Sequence, residues 1–204
     1  MHMTRTPDHT IDPLFLTRWS PRAYDASAMP ESDLRCILEA GRWAPSAHNL
    51  QPWRFLFARR DHAHWPGFVS VLDPFNRQWA KDASALVFLL SDTLISGDAD
   101  QPAAAARYNS FDAGAAWAQI ALQAAAMGYA AHAMAGLEFG RARHLLDVPQ
   151  RFRLEIGIAI GRRSDPAHLP EALRARETPS GRMPLDRIAF PGPFPRHKAT
   201  FAAE

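Results

Sequence analysis

One cysteine, Cys36, and two lysines, Lys81 and Lys198, occur among the 204 residues of the chain. A single cysteine closes no internal disulfide and falls short of a zinc-binding set, so a reducing compartment fits. No run approaches the roughly 18 uncharged apolar residues that a membrane-spanning helix needs. The polar stretch from Met1 to Leu16 lacks the apolar centre of a secretion signal, and a soluble cytoplasmic protein with no membrane partner is expected. Also missing are HExxH, GxSxG, P-loop and GxGxxG spacings, which removes the metalloprotease, serine-hydrolase and classical nucleotide-fold readings. Without such clusters no metal is expected, and His62 and His64 read as surface histidines. With 23 Lys plus Arg against 21 Asp plus Glu the net charge is only +2, so nucleic acid is not expected as a partner.

What is present suits one globular domain over residues 1–204. Hydrophobic residues make up 47% and charged residues 22%, enough to bury roughly 70% of the unfolded surface. The scarcity of lysine makes nearly every cation an arginine, whose planar fork matches phosphate and carboxylate. Prolines number 17, above the usual ~5%, and collect in loops and in the segment 162–204. That segment carries Pro166, Pro170, Pro179, Pro184, Pro191, Pro193 and Pro195, with apolar residues chiefly at Leu185, Ile188 and Phe190. It reads as a tail that either wraps another surface or is disordered.

Helical and extended patterns alternate before the tail. Pro30, Glu31 and Asp33 open a helix with Leu34, Ile37, Leu38 and Gly41 on its buried face, ending by Ala44. Cys36 on this helix reads as a packed small hydrophobe. Trp53–Ala58 and Ala85–Ser91 read as strands, the second buried on both faces. Trp65–Trp79 reads as a helix interrupted at Pro74. Asp112–Met127, apolar almost all round and closed by Gly128, predicts a deeply buried helix that can face a second subunit. His132–Gly136 reads as extended, Glu138–Leu146 as a helix, and Leu154–Ile160 as a strand with Gly161 at its end. Interleaving of this kind gives a layered α/β or α+β domain.

Two segments collect chemistry. In TRWSPR, Arg18, Ser20 and Arg22 occupy alternate positions of an extended stretch and can face one ligand, and arginine with serine makes a phosphate cradle. On these residues alone a solvated basic loop reads the same way. In APSAHNLQPWRF, Ser46, Asn49 and Gln51 supply hydroxyl and amide groups that can meet a flat heterocycle, prolines stiffen the loop and Trp53 anchors it. A well-hydrogen-bonded loop is the alternative.

In this order and spacing the two segments resemble the nitroreductase family of flavin-dependent oxidoreductases. The resemblance continues through FNRQWAKDASALVFLL (75–90), FDAGAAWAQIALQAAAMGYAAHAMAGLEF (111–139), LDVPQRFRLEIGIAIGRR (146–163) and SGRMPLDRI (180–188). It implies an α+β fold, a mixed sheet flanked by helices, in a homodimer whose 162–204 extension embraces the partner and whose two FMN sites lie between subunits. It also implies that Arg18 and Ser20 contact the FMN phosphate, joined by Arg182 from GRMPL, and that Arg22 sits near the pyrimidine edge, where a cation favours the reduced ring. Pro45, Ser46 and Asn49, with Gln51 in the same loop, would border the ring from the other subunit. Ala135 and Gly136 would present backbone close to N5, and Asn76 would face the pyrimidine. Trp79 stands where some members carry a lysine, and Ala135 where the same subgroup has glutamate. The stretch Gly97–Ser110 has no clear counterpart and would help cover a substrate pocket.

The activity so implied is hydride transfer from NADH or NADPH to flavin N5, then to a small electron-poor acceptor of nitroaromatic or quinone type, with no catalytic side chain required. Alternatives with the same fold are a dehydrogenase, a dehalogenase or a flavin-fragmenting enzyme, and a flavin-binding carrier or sensor without turnover.

Overall fold

The computed structural model describes residues 5–95 and 103–194. Along the chain run α1 (Pro13–Thr17), α2 (Glu31–Arg42), β1 (Trp53–Arg59), α3 (Trp65–Ser70), α4 (Pro74–Ala80), β2 (Ala85–Asp92), β3 (Leu94–Ile95), β4 (Ala104–Ala105), α5 (Asn109–Ala126), β5 (Ala130–Met134), α6 (Phe139–Leu145), β6 (Phe152–Gly161) and α7 (Glu171–Arg174). Four strands form one sheet in the order β1-β2-β6-β5, and β3 with β4 forms a separate small ladder. The class is α+β with helices flanking the sheet. Every ladder among the described residues is antiparallel, because each neighbouring pair runs in opposite directions.

The sheet owes its position to β2. All eight of its residues are buried, and their alternation divides them between two cores. Leu86, Phe88 and Leu90 point into one core with Trp65, Phe68, Leu72, Trp79 and Leu154. Ala85, Val87 and Leu89 point into the other, against Leu34, Ile37, Ala116, Ile120 and Ile158. Each large side chain so buried contributes about 1.5–3 kcal/mol. A strand covered on both faces needs no polar alternation, which is why it reads as an unbroken apolar run.

Helix α2 keeps Glu31 and Asp33 in its first turn and Arg42 in its last, complementing its dipole. Its buried residues are Leu34, Ile37, Leu38 and Gly41. A side chain at Gly41 would collide with Ile120 of α5, so the glycine permits the close crossing of the two helices. Cys36 is exposed, contrary to the expectation that it packs in the core. It lies off the 34, 37, 38, 41 stripe, and its sulfur accepts a 3.7 Å hydrogen bond from Gln123.

Helix α5 buries Asp112, Ala113, Ala116, Ile120, Ala121 and Ala124, while Phe111 on its far side is 77% exposed. The expected break between α3 and α4 is present. Asp73 caps α4, its carboxylate accepting from the Asn76 N–H at 2.6 Å, and Pro74 occupies the first helical turn.

The first part of the tail has a place in the chain's own core. Tyr24 pairs with Arg163, the Ser164 N–H donates to the Ala23 carbonyl at 3.1 Å, and Leu169 and Leu173 are buried in the cluster around Trp79. These two leucines, spaced four apart around Pro170, are apolar anchors that the proline content obscures. Residues 195–204 of the tail, and 97–102 of the stretch Gly97–Ser110, lie outside the described residues. Among the described residues no helix is long and apolar enough to cross a membrane.

Candidate functional site

The segment leaving α1 is extended because Pro21 fixes its own φ and disfavours helix at Ser20. It is pinned beside the exit of β6 by the Tyr24 and Arg163 pairing and by the Asp25 N–H, which donates to the Arg162 carbonyl at 3.1 Å. Two groups of side chains gather along it.

The first group is a cluster of arginines. Arg18 donates to the Ser20 hydroxyl at 3.4 Å, as alternate positions of a strand allow. Arg182 turns back over the Ser180–Gly181 bend, donating to the Ser180 hydroxyl at 3.2 Å and to the Gly181 carbonyl at 2.7 Å. Arg5 ties the two segments together, reaching the Ser180 carbonyl at 2.9 Å, the Leu16 carbonyl at 3.0 Å and the Arg18 carbonyl at 2.8 Å. Partial burial, then the charges of Arg5 and Arg182, pull the Arg18 guanidinium below its ordinary pKa. Arg5 is lowered likewise by burial and by Arg182. No carboxylate of the described residues forms an ion pair with any of the three. Three crowded cations and a hydroxyl, without a paired carboxylate among the described residues, are a donor set whose chemistry suits an anion of phosphate type.

The second group surrounds Arg22. Its guanidinium lies 5.9 Å from the Trp79 ring centroid, and Trp79, fully buried, tilts against His132 at 4.7 Å. The His132 Nδ1 is 2.9 Å from the Pro21 carbonyl. Burial, aided by the Arg22 and Arg176 charges, pushes the His132 pKa down to about 4, so the ring is neutral near pH 7. Glu177, 8% exposed, accepts from the Arg22 N–H at 2.6 Å and the Ala23 N–H at 2.9 Å through one oxygen. Its other oxygen, the Arg22 Nε and the Trp79 Nε1 are buried without a hydrogen-bond partner among the described residues.

Beyond β5 the chain passes through exposed Ala135 to Gly136. The Gly136 carbonyl accepts from the Asp73 N–H at 3.1 Å and from the buried Asn76 amide at 3.2 Å. A side chain at Gly136 would collide with Asp73 and Asn76, so packing against α4 requires the glycine here. Asn76 is thereby fixed beside Gly136.

Pro45, Ser46, Asn49 and Gln51 lie elsewhere. Their loop enters β1, at one edge of the sheet, whereas Ala135 and Gly136 follow β5 at the other, three strand spacings or roughly 14 Å away. His48, Asn49 and Gln51 all have positive φ, at 51°, 55° and 49°, a conformation costly for non-glycine residues. Among the bonds that hold the loop in it, the Gln51 N–H donates to the Ser46 hydroxyl at 3.0 Å, and the Ala47 N–H to the Asp112 carboxylate at 3.1 Å. Against the loop lies a cavity of about 140 Å³, lined in part by His48, Leu50, Ile95, Arg107 and Tyr108. Among the described residues no group of three or more His, Cys, Asp or Glu side chains is placed to hold a metal.

Sequence spacing does not reveal Arg5, His132, Glu177 or Asp112. Glu177 stands 155 residues from Arg22, and Arg5 175 residues from Ser180.

Comparison with known proteins shows the family and the fold. Residues 16–64 and 58–162 match the model of the Nitroreductase family. A solved structure described as an oxidoreductase containing FMN is 46% identical, with a TM-score of 0.92 over 96% of this chain and 98% of that one. The NADH dehydrogenase of Thermus thermophilus is 28% identical over 86% of this chain and 92% of its own length. A nitroreductase family protein of Streptococcus pneumoniae TIGR4, 20% identical, shares the fold with a TM-score of 0.70 over 88% of this chain and 98% of its own.

Proposed function

This chain belongs to the nitroreductase family, and on that footing we propose that it is an FMN-dependent oxidoreductase taking electrons from NADH or NADPH. The observation that carries the reading is the cluster of Arg5, Arg18 and Arg182, with the Ser20 hydroxyl against Arg18 and no carboxylate paired with any of the three among the described residues. A flavin phosphate fits that donor set. The orphaned Arg22 Nε, Trp79 Nε1 and Glu177 oxygen beside it are what a polar ring edge or bridging water would satisfy.

When bound, FMN supplies a hydride acceptor at N5 that passes electrons from a nicotinamide to a second substrate. The residues do the rest by placement. Arg18, Ser20 and Arg182 would hold the phosphate, with Arg5 aligning them. Arg22 would stand at the pyrimidine edge, where its charge favours the reduced ring. Asn76, Ala135 and Gly136 would line the ring. NADH as donor is supported by the name of the Thermus relative. Nitroaromatics and quinones are the acceptor class we propose, because flat electron-poor rings stack on a flavin.

Because Pro45, Ser46, Asn49 and Gln51 stand at the far edge of the sheet, we propose that they complete the site of a second subunit in a homodimer. A groove of about 800 Å³ between α2 and β1, lined by Trp53, Phe55, Phe57 and Arg54, offers a seat for the partner's tail beyond Leu185. The unpaired cysteine supports a cytoplasmic location.

The test is a visible spectrum of the purified protein, followed by anaerobic addition of NADH and NADPH. A yellow protein bleached by either is the expected result. A protein colourless after incubation with FMN overturns the cofactor, and a yellow one that neither nucleotide bleaches overturns the donor.

A further inference from the structure

Glu177 is the one buried carboxylate next to Arg22, and it is held in an unusual way. One oxygen takes both the Arg22 and the Ala23 N–H groups, at 2.6 and 2.9 Å, while the other is buried without a partner. The side chain comes from the stretch after α7, whose Leu173 is anchored in the core, so it is presented to the Arg22 segment by a fixed element. Arg176 adds a second cation whose field at Arg22 opposes that of Glu177. The charge of Glu177 acts on the Arg22 side chain, raising its pKa against the effect of burial, and the Arg22 Nε is itself unpartnered among the described residues.

We propose that Glu177 is a positioning residue for Arg22, clamping its backbone and offsetting its charge, so that it sets how strongly the site prefers reduced over oxidised flavin. The inference rests on FMN lying against Arg22, as proposed above. Its sign is fixed by electrostatics. A carboxylate at the Arg22 backbone lowers the positive potential at the ring edge, and removing that charge while keeping the amide contacts raises it.

The test uses full-length protein loaded with FMN and the variant Glu177→Gln, in which the amide oxygen can still accept from both N–H groups. Reduced FMN should bind about tenfold more tightly, relative to oxidised FMN, than in wild type, which is a midpoint potential about 30 mV more positive for a two-electron couple. An unchanged potential in a variant that still binds FMN overturns the proposal. Wild-type protein that takes up no FMN overturns instead the cofactor reading on which it rests. The clamp is tested separately on apoprotein by amide hydrogen exchange. Glu177→Asp, which keeps the charge but shortens the reach, should speed exchange at Arg22 and Ala23 at least tenfold. Exchange unaltered at both amides overturns the clamp, whether or not Glu177→Gln folds.

Discussion

The side-chain amide of Asn76 donates to the carbonyl of Gly136, 60 residues away, and with Asp73 it fills the space where a Gly136 side chain would begin. One glycine thus fixes the distance between α4 and the end of β5. Gly136→Ala should displace Asp73 and weaken its cap on α4, destabilising the fold by about 2 kcal/mol. Thermal unfolding should shift down by about 4–8 °C for a chain of this size. An unchanged melting temperature would show that α4 can yield at no cost.

Arg18→Ala and Arg182→Ala should each weaken FMN binding about 10- to 100-fold, the usual cost of a lost charge-assisted bond of about 1.5–3 kcal/mol. Riboflavin, which has no phosphate, should bind the variants and wild type alike. Equal weakening of both ligands would place these arginines somewhere other than the phosphate.

His132 makes stability depend on pH. Folding lowers its pKa from 6.5 to about 4, so between these values the unfolded chain binds more protons than the folded one. The contribution is fully present above pH 6.5 and fades as pH falls toward 4, amounting to at most about 3 kcal/mol. Denaturant titrations of apoprotein at pH 7 and pH 4.5 should show the loss, and His132→Gln should lessen it. A variant with the wild-type pH profile would remove His132 as the cause.

The tail should divide at the end of its anchored part. Truncation after Arg163 removes Leu169 and Leu173 from the core and should prevent stable folding, each lost leucine costing about 2–5 kcal/mol. Truncation after Ala189 should leave a folded chain that no longer forms a stable dimer. Sedimentation of the two proteins separates these outcomes, and a stable dimer from the second would show that the partner is held without the end of the tail.

The legible parts of the chain are those whose signal is local. The Ala85–Ser91 run, the acids after Pro30 and the Asp73-Pro74 cap each encode their element within a few residues, and all three elements are present. Arg18 and Ser20 come together because strand alternation brings them together. Arg22, two residues further on, belongs to a different group because Trp79 and Glu177, distant in sequence, draw it there. Arg5, Glu177 and His132 carry no local signature: each acts through backbone carbonyls or N–H groups more than ten residues away. The prolines around Leu169 and Leu173 obscure them, and the exposure of Cys36 follows from the helical stripe it lies outside.

The Arg5 contact with Ser180 joins almost the two ends of the described chain, and this gives the order of synthesis a consequence. Domains begin to fold while the ribosome is still adding residues. The anion site cannot close until Ser180 and Arg182 have cleared the exit tunnel. A nascent chain arrested before Ser180 should therefore retain no FMN, so cofactor loading would be deferred to the final moments of translation or to the released chain.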